Sequence, residues 1–80
     1  MHAHRIGRRI LDRATYLEHA ATLLNDPEAA AVRSAIGTVS HGGYRPAIPT
    51  VVGLLAHAHP MVRRAAADEL VRWGRRWSRR

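Results

Sequence analysis

Eighty residues suffice for one small domain, and a domain of that size buries only about 60% of the surface its unfolded chain exposes, so its core is modest. The chain has no cysteine, which excludes a disulfide framework and a thiolate metal site, and its longest apolar runs, such as residues 51–56, fall far short of the roughly 20 residues a membrane-spanning helix needs. The net charge is +7: all 13 basic residues are arginine, against 6 acidic ones.

The charge is uneven. Residues 1–13 carry +3, residues 14–60 carry −1 and residues 61–80 carry +5, so both ends are basic and the middle is nearly neutral. The absence of lysine beside abundant alanine is the bias a GC-rich coding sequence produces, which accounts for part of the arginine preference but not for the excess of charge. The start, MHAHRIGRR, lacks the apolar stretch of a secretory leader, so the expected location is cytoplasmic.

Residues 5–24 place Ile6, Ile10, Leu17, Ala21 and Leu24 at helical spacing, with Ala14 and Ala20 on or beside the same stripe. Gly7 and Thr15 weaken the early turns and predict a late start or a bend. Asn25-Asp26-Pro27-Glu28 stops this helix and opens the next, with Asp26 able to cap and Pro27 suited to a first helical position. The second helix runs to about Ser40 with Val32, Ala35, Ile36 and Val39 inward, and His41-Gly42-Gly43 ends it. A third helix has Pro46 and Pro49 in its first turn, carries Ile48, Val51, Val52 and Leu55 on one side, and ends near His57. Pro60 opens a fourth, which reaches about Trp77.

On that fourth helix, at about 100° per residue, Val62, Ala66, Leu70, Trp73 and Trp77 share one arc, while Arg64, Asp68, Arg72, Arg75 and Arg79 occupy the opposite one. Asp68 stands four residues from both Arg64 and Arg72, the spacing of weak surface pairs. Glu69 points closer to the apolar arc, as a half-exposed boundary residue, with Arg72 or Arg33 in reach. Short connections make sequential helices antiparallel. The expected fold is all-α: residues 1–80 form a single domain of four helices, as two stacked antiparallel hairpins, with basic ends at 1–13 and 72–80.

The two halves also echo each other. Leu23-Leu24 and Leu54-Leu55 are 31 residues apart, Val32-Arg33 and Val62-Arg63 30 apart, and Gly43 and Gly74 31 apart. A period of this size, made of two helices and a turn, marks a helical repeat. LLNDPEAAAVRSAI and LLAHAHPMVRRAAADEL resemble the turn and second helix of HEAT-like repeats, over residues 16–43 and 46–74. The resemblance implies stacked helix pairs whose second helices line a surface for protein or nucleic acid. It gives Asp26, Arg33 and Arg63 the polar links between repeats. The second turn, His57-Ala58-His59-Pro60, lacks the aspartate. Two repeats leave both ends of a stack open, so self-association or docking on a larger partner is expected, with a closed four-helix bundle as the other outcome.

No catalytic motif is present, and the Gly42-Gly43 pair reads as a helix stop. His2-Ala3-His4 and His57-Ala58-His59 share one spacing, but residues two apart on a helix diverge and no carboxylate flanks either pair. They read as structural or exposed, like the isolated His19 and His41, and neither metal nor cofactor is expected.

The tail at 72–80 combines five arginines with Trp73 and Trp77, groups that match phosphates and stack on bases. The tryptophans lie on the core arc, so packing is their first role. A basic helix lying on anionic lipid ranks third, because that use would take the apolar arc away from the core. The expected function is a non-enzymatic module that binds a protein partner or a second copy through its helical surface. Its candidate contacts are Arg64, Arg72, Arg75, Arg76, Arg79 and Arg80, with Arg5, Arg8 and Arg9 at the other end. The alternative is nucleic-acid binding through these arginine-rich ends. A small-molecule substrate is not expected.

Overall fold

The computed structural model describes residues 2–77, with side chains from Asp12 onward. Four α-helices follow one another: α1 (His2–Thr22), α2 (Ala29–His41), α3 (Ile48–Gly53) and α4 (Pro60–Trp77). Three short 3₁₀ turns punctuate them, at Leu23–Asn25, Arg45–Ala47 and Leu54–Ala56, and no strand occurs among the described residues. Among those residues no helix is long and apolar enough to cross a membrane.

The helices form two antiparallel hairpins joined mainly through their second members. α2 packs most extensively on α4, α1 lies along the other flank of α2, and α3 with the 3₁₀ turn at Leu54–Ala56 rests on α4. The first members, α1 and α3, share little packing. The molecule is therefore thin, with Cα extents of 46 × 36 × 15 Å. Its radius of gyration of 14.0 Å exceeds the roughly 12 Å of a compact 80-residue domain.

The core sits where α2 meets its neighbours. Val32, Ala35, Ile36 and Val39, the inward set expected from periodicity, are all buried, as are Val62 and Ala66 of α4. Leu17, Ala20, Leu24, Ala47, Val51 and Leu54 close it. Fully burying a Val, Leu or Ile contributes about 1.5–3 kcal/mol, so these few side chains hold most of the stability a domain this small has.

The two turns between hairpin arms share one design. In each, a 3₁₀ turn ends on an extended residue, Asp26 (φ −69°, ψ 143°) or His57 (φ −61°, ψ 149°). That residue's N–H donates to a carbonyl three residues back, Leu23 or Leu54, at 3.0 Å in both. Its side chain then accepts the N–H two residues on: Asp26 Oδ1 from Glu28 at 2.8 Å, His57 Nδ1 from His59 at 2.9 Å. An imidazole thus replaces the carboxylate of the first turn.

α2 ends in a Schellman arrangement. Tyr44 N–H donates to the Val39 carbonyl (3.0 Å) and Gly43 N–H to that of Ser40 (3.1 Å), with Gly43 in the left-handed region at φ 66°.

Four expectations are corrected. α2 begins at Ala29 with Glu28 at its N-cap and no side-chain cap, because Asp26 is spent on the preceding turn, so Pro27 lies outside the helix. α1 runs unbroken from His2, because one interior glycine costs only about 1 kcal/mol among good helix formers. Ala14 is exposed, lying beyond the reach of α2. The third helix is interrupted, and Val52 and Leu55 are 48% and 43% exposed while Val51 and Leu54 are buried. The buried set Ala47, Val51 and Leu54 keeps helical spacing but lies one residue away from the expected stripe, on the side that packs against α4.

Candidate interaction surface

The faces of α2 are unlike. One is the core stripe; the other presents Ala30, Ser34, Gly37, Thr38 and His41, all small or polar. α1 and α4 rise on either side of this second face, so α2 forms the floor of a shallow valley.

On the α4 side the valley is a groove of about 730 Å³, floored by Ala30, Ser34 and Gly37 and walled by Arg33, Met61, Arg64, Asp68 and Arg72. On the α1 side a second hollow of about 440 Å³ shares Ser34 and Gly37 and is bounded by Arg13, Tyr16 and His41. Gly37 is the low point between them. A Cβ built there meets nothing within 4 Å, so the fold does not demand glycine at this position.

The electrostatics of the α4 side follow from its wall. Arg72 Nη1 lies 3.2 Å from Glu69 Oε2, with Arg72 exposed and the Glu69 side chain largely covered. A pair so exposed at one end contributes less than about 1 kcal/mol. Among the described residues Arg72 pairs with Glu69, not with Asp68, and neither Arg33 nor Arg64 has a carboxylate partner. Across the groove the balance is three guanidinium groups against two carboxylates.

Beneath the groove, on the α3 side, lies a tight cavity of about 10 Å³ lined by Ile36, Val39, Ser40, Val51, Glu69 and Trp73. Ser40 and Glu69 both line it, and Ser40 Oγ and Glu69 Oε1 are buried without a hydrogen-bond partner among the described residues. Glu69 thus lines both the groove and the cavity, with Oε2 paired to Arg72 and Oε1 buried.

The sequence-derived contact residues divide. Arg64 and Arg72 stand on the groove wall, while Arg75 and Arg76 are exposed in the last turn of α4. Arg5, Arg8 and Arg9 lie on α1 before its described side chains begin, and Arg79 and Arg80 lie outside the described residues. Of the three residues assigned to inter-repeat links, Asp26 serves its own turn and Arg63 donates to the carbonyls of His57 (2.8 Å) and Ala58 (3.1 Å), also within its own hairpin. Only Arg33 faces the other hairpin, across the groove. No ion pair joins the three among the described residues. His57 and His59 turn Nδ1 toward backbone N–H groups, those of His59 and Met61.

Sequence reasoning missed the small-residue face of α2. Its signal was available: Ala30, Ser34 and Gly37 follow at helical spacing opposite the Val32–Val39 stripe. No protein-family model, curated protein or solved structure matches the chain.

Proposed function

We propose that this protein is a non-enzymatic interaction module, two HEAT-like helical hairpins that bind a protein partner through the valley floored by α2. One observation carries the reading: the second helices lie side by side, and the face they turn away from the core is recessed, polar and open. The paired turns, each closing on a side-chain acceptor to the N–H two residues on, support the repeat reading. The little packing between α1 and α3 leaves surface that a further layer or a partner would cover.

Affinity capture from native extract, with and without nuclease, tests this. Proteins retained after nuclease treatment are the expected result. Capture abolished by nuclease would transfer the function to nucleic acid, and a chain that retains nothing would count against any interaction role.

A further inference from the structure

Resting on the interaction-module reading, we infer that the groove between α2 and α4 receives a helix of the partner protein whose contact face carries both charge signs with carboxylates in excess. The charge pattern of the walls selects this occupant. Arg33 on α2 and Arg64 on α4 both line the groove, exposed and without carboxylate partners among the described residues, so each offers a guanidinium fork to an incoming carboxylate. Asp68 lies between Arg64 and Arg72 on the α4 wall and calls for one basic group. A polypeptide supplies both signs. A nucleic-acid backbone carries one sign at every step and would set phosphates against the carboxylates of Asp68 and Glu69. A second copy of this chain presenting the same groove would set arginine against arginine.

The shape favours a helix. The floor residues Ala30, Ser34 and Gly37 are four and three apart, the spacing of the rows on a helix surface into which the ridges of another helix fit. With nothing within 4 Å of a Cβ at Gly37, an approaching helix can come close over that point. A helix also satisfies its own backbone hydrogen bonds, which a floor made of another helix's side chains cannot do for an extended strand.

The test uses the full chain and three alanine-rich helical peptides of about 20 residues, long enough to be helical in water. Their contact faces carry glutamate in excess with some lysine, lysine alone, or neither, and a single-stranded oligothymidine serves as the polyphosphate probe. Fluorescence anisotropy at low salt should show the glutamate-rich mixed peptide bound at least tenfold more tightly than the other two. The double variant Arg33→Glu with Arg64→Glu should reverse the preference toward the lysine peptide. Both substitutions are at exposed positions, and a thermal melt matching the parent establishes that the variant is folded. Equal affinities for all peptides, or a preference unchanged by the double variant, would overturn the assignment of the groove while leaving partner capture by the protein intact. Oligothymidine bound more tightly than the mixed peptide, and lost in the double variant, would overturn it in favour of phosphate.

Discussion

The indole ring of Trp77 lies directly over Gly43: a Cβ at Gly43 would come within 2.9 Å of Trp77 Cζ2. The last turn of α4 thereby covers the turn that ends α2, tying the second hairpin to the first at one end of the α2/α4 core. Gly43 is required here twice over, by its φ of 66° and by the ring above it. Gly43→Ala should cost about 1–2 kcal/mol from backbone strain alone, and more from displacing the ring. In a double-mutant cycle with Trp77→Ala, the second cost should vanish, leaving the pair less than additive in thermal melts. Strict additivity would mean that the ring does not rest on the turn.

Trp73 is the deeper of the two indoles. It lines the cavity with Ile36, Val39 and Val51, and its ring centroid lies 6.4 Å from that of Trp77. Truncating a fully buried aromatic costs roughly 3–5 kcal/mol, and Trp73 is half-buried, so Trp73→Ala should lower the melting temperature sharply by a cost toward the lower end of that range. Arg75→Ala with Arg76→Ala, at exposed positions beside it, should leave the melt nearly unchanged. Equal melting of the Trp73 variant and the parent would contradict the packing of α4.

The inward faces of α2 and α4 were legible in the sequence because an uninterrupted helix keeps its period: Val32, Ile36, Val39, Val62 and Ala66 all fall where spacing puts them. The end of α2 at Gly43 was legible, because glycine suits the left-handed conformation there, whereas its start was not: Asp26 holds the turn that precedes the helix, and Glu28 stands at the N-cap. The third helix was not, because Val51 beside Val52 and Leu54 beside Leu55 offer two adjacent apolar stripes, and only packing against α4 turns Val51 and Leu54 inward. The groove depends on which helices become neighbours, a tertiary outcome. Its floor left a trace in Ala30, Ser34 and Gly37, but only the pairing of α2 with α4 brings Arg33 and Arg64 to the same opening.

Ser40 Oγ and Glu69 Oε1 are a cost that the fold carries, each buried without a partner among the described residues, on side chains that line the same cavity. Leaving such a group unsatisfied costs about 1–3 kcal/mol. Ser40→Ala should therefore stabilise, by about 0.5–1 kcal/mol. Glu69→Met should stabilise too, because the pair with exposed Arg72 contributes less than the buried oxygen costs. Urea denaturation of each variant reads the sign; a loss of stability in both would show that the two groups are satisfied in solution.

The histidine turn invites conversion to the aspartate turn of the first hairpin. His57→Asp preserves an acceptor for the His59 N–H and adds a negative charge near the start of α4, where the helix dipole favours it. A gain of about 0.5–1 kcal/mol is expected in thermal melts, and a loss would mean that the imidazole has a further contact the carboxylate cannot replace.

Gly37 separates folding from binding more cleanly than any other position. Gly37→Ala should stabilise the domain by about 0.5–1 kcal/mol, because a better helix former enters open space. Gly37→Trp should also fold, yet fill the valley floor where α2 lies between α1 and α4. The decisive measurement is affinity capture from native extract, after nuclease treatment, by Gly37→Trp and the parent in parallel, with melts confirming that both are folded. Loss of the captured proteins by a variant that melts like the parent is the predicted result. The same proteins recovered in the same amounts would place the partner surface away from the valley and contradict the account.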